Sequence, residues 1–338
     1  MKNYTLILLL AITLIGCRQA VDKTTQVDQS MQQVITTAYK STETTNAIYH
    51  WKTTFAPDYK EWEFLHRHNI TRLYIHMFDV VAERNYESGR WDIVPIATTK
   101  FGQIAPENIK NIEIIPTAYI TVEALREMKG KEQEYAELLV ERLRAMARYN
   151  KLGKTQEIQF DCDWTKSTRD SYFALCDAAR NLMREDSIAL SATIRLHQLS
   201  QDAPPVDRGV LMLYNTGNLK SIETQNSILD IKDVEPYLKQ EIKYPIPLDY
   251  VYPTYGWGVK FNRWGNFNAI VSNPEAETIE KGETIRVERP TVEEILEVKK
   301  LVEKQLGKPS IGNIIYHFDK EQLNHYTDDE IAKIFSDN

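Results

Sequence analysis

Eight apolar runs of β character recur between residues 47 and 318, and amphipathic segments of helical spacing lie among them. The runs are AIYHW, ITRLYIHMFDV, IEIIPTAYI, EIQFDCDW, SIALSATIRL, GVLMLYN, PLDYVYPTYG and IGNIIYHF, in chain order. Near-continuous apolar strands alternating with helices read as a parallel sheet covered on its outer side. The helical segments include DYKEWEFLHRH, with Tyr59, Trp62 and Leu65 as its stripe and Phe64 off it. A long helix is expected over residues 122–149, with Leu125, Tyr135, Leu138, Leu139, Leu143 and Met146 inward. Further helices are expected in DSYFALCDAARNLM, in TVEEILEVKKLVEKQLG between Pro290 and Gly307, and in TDDEIAKIF, where Thr327 and Glu330 form a capping box. Eight strands over roughly 290 residues fit an α/β fold of the (β/α)8 TIM-barrel type. An open doubly wound sheet is the rival, but it usually has fewer strands, and no Gly-rich phosphate turn follows any strand here.

Within a barrel, alternate residues of each strand face the axis, and sites form where the strands end. In EIQFDCDW that parity turns Gln159, Asp161 and Asp163 inward and Ile158, Phe160, Cys162 and Trp164 toward the helices. In the fifth run Ser191, Thr193, Arg195 and His197 share the inner side, with Arg195 placed to compensate the aspartates. Two carboxylates held this close raise each other's pKa unless a cation or hydrogen bonds relieve them, which marks them as site candidates. A purely structural internal salt bridge is the alternative. Of the other histidines, His197 is the best candidate for ligand contact or proton transfer, His76 and His317 have outward parity, and His50 is undecided.

These residues resemble a known signature. FDCDWT is similar to the strand-four motif of family 18 glycoside hydrolases, the chitinases and endo-β-N-acetylglucosaminidases, at Asp161, Asp163 and Trp164. Met212–Asn215 resembles that family's strand-six M-x-Y-[D/N], Pro253–Gly256 its strand-seven P-x-Y-G, and residues 312–319 its strand-eight segment, with Tyr316 where tryptophan is usual. The resemblance covers residues 157–319 and extends to a group of bacterial barrel lipoproteins related to these hydrolases. It implies catalytic roles for Asp161, Asp163 and Tyr214, with Asp163 orienting a substrate acetamido group and Tyr214 hydrogen-bonding it. Substrate contacts are expected from Asp79, Arg195, His197, Asn215, Tyr255, Trp257 and Tyr316. The motif departs from the family at Ile158 and Gln159 and, decisively, at Thr165, where the family's general acid is glutamate. General acid catalysis contributes roughly 10²–10⁴-fold, so three readings compete. The chain binds a glycan without cutting it; Asp79, Glu123 or Asp319 replaces the missing acid; or the aspartates serve unrelated chemistry. A structural or interaction lipoprotein with a vestigial pocket is a further alternative.

The N-terminus, MKNYTLILLLAITLIGC, has one lysine, a short apolar run and a Gly-Cys pair. The run is too short to span a bilayer, which takes about 20 apolar residues, but it suits an export signal. LIGC resembles the bacterial lipobox. Residues 1–16 are therefore expected to be a cleaved signal peptide and Cys17 the acylated first mature residue. Residues 17–46 are expected to be a polar tether and 47–338 the barrel domain, with an extended insertion over 266–289 whose turn is KGE at 281–283. The expected destination is a membrane-anchored lipoprotein, periplasmic or at the cell surface, on the outer membrane in a two-membrane cell.

The formal net charge of -7 disfavours nucleic acid as a partner. Cys162 and Cys176 read as small buried residues, and no Cys/His spacing forms a recognisable metal site; no cofactor is expected. The aromatic run YGWGVKFNRWGNF, residues 255–267, offers sugar-stacking rings or a cover for the barrel rim.

Overall fold

The computed structural model describes residues 45–336. The expected signal peptide, Cys17 and all but the last two residues of the tether lie outside them. All eight β runs form strands: β1 (Asn46–His50), β2 (Ile70–Arg84), β3 (Glu113–Ile120), β4 (Glu157–Asp161), β5 (Ala189–Arg195), β6 (Arg208–Met212), β7 (Leu248–Pro253) and β8 (Asn313–Tyr316). Each pairs in parallel with its sequence neighbour, and β1 pairs with both β8 and β2, so the sheet closes into a (β/α)8 barrel. Closure leaves no sheet edge within the ring, which excludes the doubly wound alternative.

The helices form the outer layer: α1 (Tyr59–Arg67), α2 (Glu132–Tyr149), α3 (Arg169–Met183), α4 (Val292–Leu306) and α5 (Asp328–Phe335). Complete capping boxes start α1, α4 and α5, satisfying backbone donors that a helix start leaves unpaired. The Thr327–Glu330 box is as expected. The single helix expected over 122–149 is instead two, Val122–Glu127 and α2, because Gly130 has φ +83° and breaks the spiral. Tyr59 and Leu138, placed on buried stripes by spacing, are exposed; Trp62 and Leu65, Leu139 and Leu143 carry the burial.

The main core lies between strands and helices. Ile158, Phe160, Cys162 and Trp164 of the β4 segment meet Tyr172, Leu175 and Cys176 there, fully buried. Each large apolar side chain so buried contributes roughly 1.5–3 kcal/mol. Inside the ring the layers differ. At the N-terminal ends of the strands a charged layer closes the barrel: Arg72 bonds Glu113 and Glu157, each at 2.7 Å, and Arg208 bonds Glu157 and reaches Asp249 at 3.4 Å. Above it Ala47, Tyr49, Tyr74, Ile115, Val210, Val251 and Ile314 fill the axis. The Tyr49 and Tyr74 rings stack at 4.6 Å, and the Tyr49 hydroxyl donates to Gln159 at 2.6 Å. The barrel axis is a packed core, and in folds of this type sites form at the C-terminal mouth.

Two excursions flank that mouth. β2 runs on past the ring and pairs antiparallel with Trp91–Ile96. After β7, Trp257–Phe261 is the central strand of a three-stranded sheet, between Phe267–Val271 and Thr284–Glu288. The insertion thus begins earlier than expected. Its hairpin turn is 262–266, where the Asn262 side chain accepts from the amides of Trp264 and Asn266 and Gly265 takes φ +77°. KGE lies instead on the connection into the third strand, which does not pair with the second.

Candidate functional site

The inward parity of β4 and β5 brings Asp161, Asp163 and Arg195 together at the mouth. Asp161 is the last residue of β4 and is buried; its Oδ1 accepts from the Thr193 hydroxyl at 2.5 Å and from Arg195 Nη2 at 3.1 Å. Burial pushes the Asp161 carboxyl above its usual range, and Arg195 and Thr193 pull against that rise. Arg195 Nε donates to Asp163, whose side chain is 49% exposed. Burial works against the guanidinium charge, but the two carboxylates outweigh it and hold Arg195 firmly protonated. One cation therefore faces two acids, and the floor of the mouth carries an exposed carboxylate.

Aromatic rings stand beside this triad. Tyr214, just past β6, stacks on Tyr316 at the end of β8, with centroids 4.7 Å apart and planes 26° apart. Tyr255 is buried and meets both rings edge-on, at 6.1 Å and 5.6 Å. Its hydroxyl donates to Asn215 Oδ1 at 2.8 Å. Asn215 holds φ +55°, a left-handed conformation that asparagine tolerates better than most side chains. Trp257 lies edge-on to Tyr255 at 5.3 Å, and its indole donates to Glu288 at 2.9 Å.

Three members of the mouth escaped sequence reading. Trp51, following β1, lies 5.0 Å from the His76 ring and 6.1 Å from Tyr316; inward parity from Ala47 and Tyr49 was the available signal. Tyr119 pairs in register with Asp161 on the neighbouring strand, and burial together with Asp163 and Asp161 pushes its phenol up to about 12. Gln198 is buried and accepts from the Arg195 amide at 2.8 Å while donating to the Trp164 carbonyl at 3.1 Å, tying the ends of β4 and β5.

Two histidine assignments are corrected. His197 does not share the pocket with Arg195. β5 ends at Arg195 and a 3-10 turn, Leu196–Ser200, cancels strand parity and leaves His197 exposed. His76 does not face outward. A bulge between His76 and Phe78 lets His76 and Asp79 register opposite Thr117 and Tyr119 of β3, on one side of the strand. Asp79 Oδ1 bonds His76 Nε2 at 2.7 Å. His50, undecided from sequence, packs edge-on against Phe55 at 4.9 Å, and burial lowers its pKa to about 3.

The position after Trp164 is an exposed turn. Thr165 Oγ1 lies 2.9 Å from Ser167 Oγ, and its amide donates to Thr168 Oγ1 at 3.0 Å. Two of the three substitute acids, Glu123 and Asp319, are engaged elsewhere, and the third, Asp79, is bonded to His76. Glu123 faces solvent on its short helix and pairs with Arg126 at 3.3 Å. Asp319 caps the helix Lys320–Leu323 and bonds Lys52 at 2.6 Å; burial would raise its carboxyl, but Lys52 and the cap lower it below the usual range. Among the described residues no group of three or more His, Cys, Asp and Glu side chains could hold a metal ion, and no helix is long and apolar enough to cross a membrane.

A closed (β/α)8 ring with paired acids at the mouth end of β4 and tyrosines past β6 and on β8 defines a TIM barrel whose polar and aromatic groups gather at its C-terminal mouth. No family model matches the chain, and no curated protein matches it. Solved structures do match. The spore cortex-lytic enzyme SleL of Bacillus megaterium QM B1551 superposes with a TM-score of 0.53 at 14% identity, over 88% of this chain and 76% of that one. A chitinase from Chromobacterium violaceum gives 0.54 at 11% identity, over 86% and 98%. Catalytic domain 2 of the Ostrinia furnacalis Group II chitinase, solved with a bound N-acetylglucosamine oligomer, gives 0.51 at 9% identity, over 86% and 95%. The likeness is one of fold: the TIM barrel of this chain is similar to the barrels of these enzymes.

Proposed function

We propose that this protein binds N-acetylglucosamine-containing glycans in the barrel mouth and does not cleave them by the acetamido-assisted route. The observation that carries the reading is the Arg195 fork. The guanidinium engages one oxygen of both Asp161 and Asp163 and so ties the two acids to a single cation, and Thr165, bound into its turn, has no acidic proton to give a leaving oxygen. Tyr119, with its phenol pushed up to about 12, donates hydrogen bonds but is no proton donor to a glycosidic oxygen near neutral pH. What remains suits recognition. Ring faces of Trp51, Tyr214 and Tyr316 are partly open, and Asp163 and Asn215 present polar atoms for hydroxyl and amide groups. Calorimetric titration with chito-oligosaccharides, beside chromatography of the incubated sugars, tests this. Saturable binding without products supports it; products that disappear in Asp163→Asn would overturn it in favour of hydrolysis.

The same proposal places the barrel on a membrane through Cys17, on the strength of the lipobox resemblance. Cys17→Ser should move the protein from the membrane fraction to the soluble one and abolish palmitate labelling; unchanged fractionation would remove the anchor.

A further inference from the structure

Glu288 is a buried carboxylate outside the triad, and one of its partners, Trp257, stands beside the mouth. It ends the third strand of the insertion sheet and pairs in register with Trp257. Its side chain has no solvent exposure. One oxygen, Oε2, accepts from the Trp257 indole at 2.9 Å, from the Ser227 amide at 3.0 Å and from the Ser227 hydroxyl at 2.6 Å. The other, Oε1, accepts from Arg286 Nε at 2.6 Å. Arg286 extends the network: Nη1 donates to the Ser221 carbonyl at 2.7 Å and Nη2 to the Leu219 carbonyl at 3.1 Å. Its guanidinium also lies 5.0 Å from the Phe261 ring centroid.

Residues 219–227 belong to the long connection that leaves Tyr214 and Asn215, and Asn215 in turn receives the Tyr255 hydroxyl. The insertion sheet, the connection after β6 and the rings of Tyr255 and Trp257 are thus fastened to one another at both ends, by Asn215 below and Glu288 above. A carboxylate suits this place because both oxygens only accept, and all four groups around it donate. An amide would turn an N–H toward one of them and leave a buried donor facing a donor.

We propose that Glu288 is a positioning residue for glycan recognition: through Trp257 and the 216–230 segment it holds one wall of the mouth in the orientation that receives a sugar. The proposal rests on the glycan-binding reading of the mouth. It makes no claim that Glu288 touches the ligand.

The test is Glu288→Gln, compared with wild type by calorimetry against chitobiose and chitohexaose and by amide hydrogen exchange without sugar. Because binding must then re-order the loosened wall, at a cost comparable to one buried charge-assisted hydrogen bond, chitohexaose affinity should fall about tenfold. Faster exchange should be confined to 216–230 and the insertion sheet, with β4 and β5 protected as in wild type. Trp257→Phe keeps a ring but removes the indole donor, so the affinity losses of the two variants should combine to less than their product. Wild-type affinity in Glu288→Gln, or losses that multiply in full, would overturn the proposal. Should Glu288→Gln not fold, Ser227→Ala removes one donor to the same carboxylate; it should weaken chitohexaose binding about threefold and loosen the same segment. Unchanged binding and exchange in that variant would also overturn it. If the wild-type protein binds no chito-oligosaccharide, the glycan reading fails by itself. Exchange then judges the wall alone, and unaltered protection of 216–230 in both variants removes it.

Discussion

Arg195 donates through Nε to Asp163 and, through Nη2 at 3.1 Å, to the buried Asp161 on the neighbouring strand. A single guanidinium bridges both acids, so the charge balance of the mouth depends on one side chain.

Replacing Arg195 with methionine should cost about 3 kcal/mol of stability at neutral pH, because it leaves Asp161 buried without a cation. Asp161 already sits above the usual carboxylate range, and the substitution raises it further. A raised folded-state pKa means that the folded protein binds the extra proton. The deficit is therefore largest above that pKa and shrinks as pH falls toward the unfolded-state value, near 4. Urea unfolding at pH 7 and pH 4.5 measures both points; an equal deficit at each would show that Asp161 is not the group responsible.

Thr165→Glu supplies a carboxylic acid at the position where the family 18 motif that this segment resembles has one. If the missing donor is what prevents cleavage, hydrolysis of a chromogenic chito-oligosaccharide should rise about 10²-fold above the wild-type background. Combining it with Arg195→Met should raise the rate further by freeing Asp163. A flat result in both variants would place the obstacle in the position of the bound sugar.

Trp51→Ala removes a ring face beside Tyr316 and His76 without touching the Asp–Arg fork. The expected result is a loss of about 1.5 kcal/mol in chito-oligosaccharide binding, roughly tenfold in Kd, with little change in thermal stability. Calorimetry and a melting curve together check it. Equal affinity would mean the sugar does not reach β1.

At the opposite end of the barrel, Glu157→Gln should cost about 3 kcal/mol at pH 7, since Arg72 and Arg208 both bond that fully buried carboxylate. Burial alone would raise Glu157, but Arg208 and Arg72 hold it below the usual range. A lowered folded-state pKa gives stability that is present above the unfolded value, near 4.3, and is lost as pH falls through the folded one. The gap between wild type and variant should therefore narrow below pH 4, as followed by urea unfolding.

Much of this was legible from local pattern. The eight strands announced themselves as β-branched and aromatic runs, and the period of two in EIQFDCDW correctly separated Asp161 from Phe160 and Cys162. Parity failed where the strand itself stopped or slipped. His197 left the pocket because hydrogen bonding changes to a 3-10 turn after Arg195. His76 and Asp79 share a face only because Met77 is accommodated in a bulge, and no single-strand alternation contains that extra residue. Trp51 was within reach of the same parity that placed Tyr49. Tyr119 and Gln198 were not, since each acquires its importance from a neighbouring strand or turn.

From residue order alone came the alternation of strands and helices, the inward set on β4 and β5, and the absence of a glutamate after Trp164, because these are properties of a segment and its immediate spacing. Ring closure, the Arg195 fork, the Tyr214–Tyr316 stack and the Glu288 anchorage emerged only with the tertiary structure. Each depends on residues tens to more than a hundred positions apart meeting at distances of a few ångströms, and that meeting is set by strand register and loop packing across the whole barrel.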